Sequence, residues 1–236
     1  MVSTILIVCS PDDVPRLFGY YHLKRFAYLA AQSGHHLIFL RTATLDNFEK
    51  VVAQYDPELV IVNGHGGKLG VTGQDDNVIL GVRGNDPLLG LTIHDENPEL
   101  MTGRAVFLLT CNCGLELGPR LVDYGARAVA AFTAPFIFVS DGDDPTRESR
   151  GAAYFNAALQ LPIRYINGYS WGESFEYMRK AFGDEARKAE ERGDEEAAKY
   201  LYYDLVKAVA FGDLDARYMA VVGGVRDVYE FPWRRL

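Results

Sequence analysis

The sequence predicts an α/β fold, a three-layer sandwich in which helices cover both faces of a mostly parallel β-sheet. Short apolar runs rich in β-branched residues alternate with amphipathic stretches through the first half of the chain. These runs are apolar at successive positions, which is typical of strands whose two faces are both covered. Hydrophobic residues make up 48% of the chain and charged residues 24%, which excludes a disordered or fibrous protein.

The apolar runs define the strands, and the first of them ends at a turn signal, Ser10-Pro11-Asp12-Asp13. Strands are predicted at residues 4–9, 36–40, 58–62, 105–110, 126–133, 136–139, 207–211 and 218–222. The glycine-rich stretch 64–92 interrupts the series, and we expect a long loop or a small hairpin there.

Apolar residues at helical spacing predict the helices. They are expected at residues 20–32, 45–55, 118–124, 147–159 and 170–182. The triplet Gly183-Asp184-Glu185 recurs as Gly193-Asp194-Glu195. Because each glycine can end a helix and each aspartate can cap the next, a charged helical hairpin is predicted around residues 183–206. No linker-like segment divides the chain, so residues 1–236 are expected to form a single domain.

Charge and cysteine content exclude several classes of protein. The net charge of −8 argues against nucleic acid or an anionic membrane surface as the main partner. The first apolar run is too short for a signal peptide or a membrane span. Three cysteines are too few for a disulfide framework, and Cys111-Asn112-Cys113 has the wrong spacing for a zinc knuckle. We therefore expect a cytoplasmic protein.

Two strand ends carry residues suited to catalysis. The third strand runs into Asn63-Gly64-His65-Gly66-Gly67, and the fourth runs into Thr110-Cys111-Asn112-Cys113-Gly114. Ligands bind at the carboxyl ends of parallel strands, so His65 and Cys111 share one edge if these strands are neighbours. Alone, each is more common as a turn or core residue. Together at strand ends they indicate a cysteine nucleophile and its acid–base partner.

These two segments resemble the motifs of the caspase–haemoglobinase-like cysteine peptidases (clan CD), which include caspases, legumains, gingipains and separases. Residues 60–67 (VIVNGHGG) are similar to the histidine motif, and residues 107–114 (FLLTCNCG) are similar to the nucleophile motif. Later segments, at 117–129 and 211–217, resemble the gingipain-like branch. Cys113 stands where some members carry serine, which leaves open an exchange of roles between Cys111 and Cys113.

The resemblance implies a caspase-like fold and a cysteine endopeptidase that acts on a peptide or protein substrate without a metal or cofactor. Cys111 would attack the scissile carbonyl, and His65 would protonate the leaving amine. The backbone amides of Gly66 and Cys111 would hold the oxyanion, a contribution of about 3–4 kcal/mol per donor.

The resemblance also suggests where specificity would arise, because the primary specificity pocket in that family is built from loops after the first strand and after the nucleophile. In this chain those loops carry Asp12, Asp13, Asp141, Asp143 and Asp144. Carboxylates there would favour lysine or arginine before the cut. Asp12 or Asp13 can equally cap the following helix, and Asn63 is a candidate to orient His65.

Two other functions are weighed against a peptidase. A catalytically inactive caspase-like interaction module would bind through the acidic helical hairpin, with Tyr200, Tyr202 and Tyr203. An amidase or glutamine-amidotransferase-like hydrolase would need a Gly-x-Cys-x-Gly elbow and a histidine after the nucleophile. No histidine follows Cys113 in the sequence, which argues against this second class.

Overall fold

A computed structural model describes residues 3–94 and 96–219, together with the backbone of two short strands nearer the carboxyl terminus. The strands in this described part are β1 (Thr4–Cys9), β2 (His36–Leu40), β3 (Leu59–Asn63), β4 (His65–Gly66), β5 (Gly70–Thr72), β6 (Val78–Gly81), β7 (Gly84–Asp86), β8 (Leu91–Ile93), β9 (Ala105–Leu109), β10 (Ala128–Phe132), β11 (Ala208–Gly212), β12 (Val228–Phe231) and β13 (Arg234–Arg235). The α-helices are α1 (Val14–Gln32), α2 (Leu45–Tyr55), α3 (Leu117–Asp123), α4 (Ser149–Ala158), α5 (Gln160–Ile166), α6 (Trp171–Glu191) and α7 (Glu195–Lys207).

The main sheet has the strand order β11-β10-β9-β3-β1-β2-β12-β13. Its neighbouring strands are parallel except for the pairs β10–β11 and β12–β13. The chain passes from β1 to β2 on one side of β1 and then returns to β3 on the other side. Ligands in open α/β sheets bind at the carboxyl ends of the strands where the winding reverses in this way.

Side chains of the sheet alternate between two hydrophobic cores. Ile5 and Ile7 lie in the core that also contains residues of α1 and α4 to α7. Leu6 and Val8 lie in the core on the other face, with residues of α2 and α3. The α/β prediction is therefore confirmed, because a mixed and mostly parallel sheet lies between helices on both faces.

The first helix begins six residues earlier than predicted, at Val14 instead of residue 20. The Asp13 side chain caps this helix by accepting a hydrogen bond from the Arg16 amide, and Pro15 occupies the first turn. Proline in this position is compatible with a helix because the first amides have no partner within it. Arg16 thus belongs to the first turn of the helix, and it lines a recess together with His65 and Cys111.

The charged hairpin forms, but only one of its two predicted breaks is correct. Helix α6 continues through Gly183 and ends at Glu191, and Asp194 caps α7. A Cβ at Gly183 would lie 3.3 Å from a methyl group of Leu205 on α7. This glycine therefore allows close packing of the two helices instead of ending one.

Two of the shorter strand predictions differ from the structure. Residues 136–139 are not a strand, and the Ile137 amide instead donates a hydrogen bond to the Asp204 side chain on α7. Of the predicted strand 218–222, residues 218 and 219 are not in a strand, and the rest lies outside the described residues. The stretch 64–92 forms the small sheet β4-β5-β6 and part of the hairpin β7–β8.

Candidate active site

The carboxyl ends of β3 and β9 bring His65 and Cys111 to one edge of the sheet. The two strands pair in parallel, and Asn63 lies opposite Leu109 in the register. His65 and Cys111 each follow two residues later, as predicted for neighbouring strands. Both line a cleft of about 550 Å³, and both also line a smaller adjoining recess.

The histidine segment packs directly against the cysteine turn. His65 and Gly66 form β4, which pairs with Thr72 and Val71 of β5. A Cβ at Gly66 would collide with the carbonyl oxygen of Cys111, so only glycine allows this approach. The Gly67 amide donates to Gly70, and hydrogen-bonded positions alternate along an antiparallel pair. The Gly66 amide therefore points away from β5.

The turn that carries Cys111 is held by hydrogen bonds to the end of β10 and to the segment that follows it. Asn112 has a φ angle of 61°, in the left-handed region that asparagine tolerates better than most residues. Its amide donates to the Ala134 carbonyl (3.1 Å), and the Gly114 amide donates to the Phe132 carbonyl (2.8 Å). These bonds fix the backbone on both sides of the turn.

Cys111 is partly exposed, and its thiol has a raised pKa. Burial is the main cause, and the nearby carboxyl group of Asp204 acts in the same direction. A hydrogen bond from the Phe136 amide to the thiol opposes the shift. Attack by this thiol therefore needs a base that removes its proton as the new bond forms.

The other two cysteines are fully buried. The Cys9 thiol lies against the Arg16 carbonyl (3.6 Å), and the Cys113 thiol lies against the Gly70 carbonyl (3.7 Å). Burial raises the pKa of each to about 12. Cys111 lines the cleft, whereas Cys113, two residues later, packs in the core. The arrangement therefore favours Cys111 over Cys113 as nucleophile.

Asp13 holds the imidazole of His65. Its Oδ2 lies 2.6 Å from Nε2 of His65, and the same carboxylate caps α1. Burial raises the pKa of Asp13, but hydrogen bonds from Arg16 and His65 outweigh burial, so the pKa is lowered overall. The carboxylate is therefore ionised and accepts a hydrogen bond from Nε2–H. This leaves Nδ1 of His65 as the nitrogen that can exchange a proton with a reacting group.

Arg16 pairs with three carboxylates beside the cleft. The residue is 5% exposed, and its guanidinium lies 3.2 Å from Asp12, 2.9 Å from Asp13 and 3.2 Å from Asp76. It also donates to the Gly73 carbonyl (2.7 Å), so a buried cation is matched by several acceptors. Arg16 is absent from the site predicted from the sequence. Its spacing of four and three residues from Asp12 and Asp13 is nevertheless the spacing of ion pairs on a helix.

The remaining predicted residues take different places. Asp12 and Asp13 form ion pairs with Arg16. Asp141 pairs with Arg150 (2.6 Å), which also pairs with Asp194 at the start of α7. Asp143 is exposed. The selection of a basic residue by these aspartates stays a prediction. Neither Asp141 nor Asp143 is among the described residues that line the two clefts.

Asn63 is turned towards Cys9. Its side-chain amide donates to the Cys9 sulfur (3.2 Å), and its exposed fraction is 9%. The residue next to Nε2 of His65 is Asp13. Of the two sequence-based options for Asp13, selecting a substrate or capping a helix, the structure supports the cap and adds the contact with His65.

One wall of the cleft is apolar, formed by Leu88, Leu89 and Leu91 of the hairpin β7–β8. Asp86 is fully buried and holds this hairpin, because its carboxylate accepts from the Leu88 and Leu89 amides. The same carboxylate accepts from the Leu69 amide (2.7 Å), next to the histidine segment. The wall is therefore fixed relative to His65, and its apolar side chains suit an apolar part of a ligand.

Comparison with known proteins gives no assignment: no family model matches the chain, and no curated protein is significantly similar to it. Within residues 3–94 and 96–219, no group of three or more His, Cys, Asp or Glu side chains is arranged to hold a metal ion. None of the helices described above is both long enough and apolar enough to cross a membrane.

Proposed function

We propose that this chain is a cysteine endopeptidase with a caspase-like fold, in which His65 and Cys111 form the catalytic dyad. One observation carries the proposal: a partly exposed thiol and an imidazole held by a carboxylate line the same cleft at the carboxyl edge of a parallel sheet. The motif resemblance of residues 60–67 and 107–114 supports the same chemistry.

The reaction follows from the position of each group. Nδ1 of His65 takes the proton of the Cys111 thiol while the sulfur attacks the scissile carbonyl carbon. The Gly66 amide, which points away from its own hairpin, is available to the developing oxyanion. The imidazolium then gives its proton to the leaving amine as the C–N bond breaks. Water attacks the thioester, His65 takes a proton from it, and the free thiol is restored.

Asp13 supports both proton transfers. A carboxylate that accepts from Nε2–H fixes the tautomer in which Nδ1 is the free base. When the imidazole is protonated, the same carboxylate stabilises its positive charge. The arrangement has the order nucleophile, base and orienting carboxylate, with the three groups contributed by the turn after β9, by β4 and by the turn after β1.

The proposal is tested with a library of peptides of mixed sequence, digested by the purified protein and mapped by mass spectrometry. Wild type is expected to cleave, whereas Cys111→Ala and His65→Ala lose at least about a hundredfold of the rate. His94→Ala is the matched control, because His94 is exposed and lines neither of the two clefts that contain Cys111. A peptide chloromethyl ketone is expected to label Cys111.

Two results would overturn this assignment. Cleavage at the wild-type rate by folded His65→Ala would remove the histidine from the mechanism. Labelling that persists in Cys111→Ala and is lost in Cys113→Ala would transfer the nucleophile to Cys113. Circular dichroism of each variant separates loss of activity from loss of fold.

The inactive interaction module is the second candidate, and one observation favours it: burial raises the pKa of the Cys111 thiol above its ordinary value. A thiol that remains protonated and unassisted would be unreactive. The same labelling experiment decides between the two, because an interaction module would leave Cys111 unlabelled by the ketone and the peptide library intact.

A further inference from the structure

Helix α7 carries a buried carboxyl group that the proposed reaction does not use. Asp204 is completely buried, on the same helix face as Ala197 and Leu201. Its Oδ1 accepts from the Ile137 amide (3.2 Å), and its Oδ2 has no hydrogen-bond partner within the described residues. Burial raises the pKa of Asp204 to about 8, so the group is largely protonated at neutral pH. Burying a carboxyl oxygen that has no hydrogen-bond partner lowers the stability of the folded state.

Hydrogen bonds connect α7 to the cysteine turn through the segment 133–139. The Thr133 amide donates to the Lys207 carbonyl (2.9 Å), which ties the start of this segment to the end of α7. The Ile137 bond to Asp204 ties its middle to the helix. One residue earlier, Phe136 lines the same recess as Cys111, and a hydrogen bond from its amide acts to lower the pKa of the thiol. The helix therefore sets where that amide lies relative to the sulfur.

We propose that Asp204 is a positioning residue for Cys111: it fixes the segment that presents the Phe136 amide to the thiol, and its proton keeps a second negative charge away from the thiolate. The first part follows from the chain of hydrogen bonds. The second follows from charge, because an ionised Asp204 carboxyl group would raise the pKa of the Cys111 thiol and so oppose thiolate formation. The inference rests on the proposed function in taking Cys111 as the reactive thiol.

Few groups near Asp204 can change their charge near neutral pH. The titratable or charged groups that face it or its immediate neighbours are Cys111, Tyr154, Tyr203, Lys207, Arg150 and Asp194. Burial raises the pKa of Tyr154 and of Tyr203, so neither phenol ionises near neutral pH. Lys207 lies over the Tyr203 ring (5.8 Å), and Arg150 is paired with Asp194. In moderately alkaline solution, Asp204 and Cys111 are thus the pair whose ionisations are coupled.

The test measures the rate at which iodoacetamide alkylates Cys111, read by mass mapping across neutral and alkaline pH. Asp204→Asn keeps an oxygen acceptor for the Ile137 amide and stays uncharged. We expect it to match wild type within about twofold at neutral pH. Above the pKa of Asp204 it should react several times faster than wild type, because asparagine adds no negative charge that raises the pKa of the thiol. Asp204→Ala lacks the acceptor and is expected to react several times more slowly at neutral pH.

The two variants give separate answers. A profile of Asp204→Asn that follows wild type at every pH overturns the electrostatic part. Wild-type alkylation at neutral pH by folded Asp204→Ala overturns the anchoring part, and if this variant does not fold, the Asp204→Asn profile decides alone. Alkylation needs no substrate, so a protein that shows this coupling without cleaving peptides would refute the proposed function and leave the inference intact.

Discussion

Asp13 joins the start of α1 to the proposed catalytic histidine through one carboxylate. Its Oδ1 accepts from the Arg16 amide as a helix cap, and its Oδ2 contacts Nε2 of His65. Asp12 lies beside it and pairs with the same Arg16, without a contact to His65 among the described interactions. Substituting Asp12 and Asp13 one at a time therefore distinguishes the charge balance of Arg16 from the orientation of the His65 imidazole.

We expect Asp13→Asn to lower kcat by at least about tenfold with little change in KM, because asparagine does not hold the imidazolium as a carboxylate does. Asparagine is as good a helix cap as aspartate, so the fold should be retained. Steady-state cleavage of the best library peptide measures this. Asp12→Asn is the control and should leave kcat within about twofold. Equal losses in the two variants would assign the effect to Arg16 and its charge balance.

His22 lies buried in α1. The sequence did not predict a buried titratable group in this helix. Its ring stacks on Phe155 (5.0 Å between centroids), and both ring nitrogens are without a hydrogen-bond partner among the described residues. Burial lowers the pKa of His22 to about 4, and the charge of Arg25 acts in the same direction. The folded state therefore binds this proton less readily than the unfolded state does.

Stability should consequently fall as the solution is acidified from about pH 6.5 towards pH 4, by up to about 3 kcal/mol from this residue. The unfolded chain takes up the proton in that range and the folded chain does not. Urea unfolding at several pH values should show a smaller acid loss for His22→Phe, which keeps the stacking on Phe155. His94→Ala should keep the wild-type slope, and an unchanged slope in His22→Phe would contradict the prediction.

At the scale of elements, apolar runs predicted the strands well because burial of both faces leaves a strong signal. β1 and β2 have the predicted bounds, and β3 differs by one residue at each end. The adjacency of β3 and β9, on which the His65–Cys111 pair depends, was stated only as a condition. Strand order is decided by long-range pairing, which local pattern does not encode.

Helix boundaries depended on contacts that a single segment does not reveal. Gly183 reads as a helix end, but tertiary packing against Leu205 overrides its low helix propensity. Asp204 did leave a signal, because it falls on the apolar face marked by Ala197 and Leu201. The charge of this hairpin predicts exposed helices, whereas one face of α7 is buried and binds the Ile137 amide through Asp204. An acidic residue at an apolar position is thus a better indicator of a special role than the overall charge of its helix.

At the scale of the whole molecule, the sheet connects the two hydrophobic cores. Each central strand contributes alternate side chains to both, so neither core can open without exposing residues of the other. Cys9 lies in one core and Cys113 in the other, and both are fully buried. These two thiols therefore report on opposite faces of the same sheet. The single domain expected from the sequence predicts that both become exposed in one transition.

Pulsed thiol labelling across a urea series, in a Cys111→Ser variant that removes the partly exposed cysteine, measures this directly. We expect Cys9 and Cys113 to become reactive at the same urea midpoint and with the same slope, since their exposure follows one unfolding step. Burial protects each thiol in the folded state, so labelling below the transition should be negligible. Midpoints that differ beyond error would mean that the two faces unfold independently, and the chain would then comprise two cooperative units in place of the predicted one.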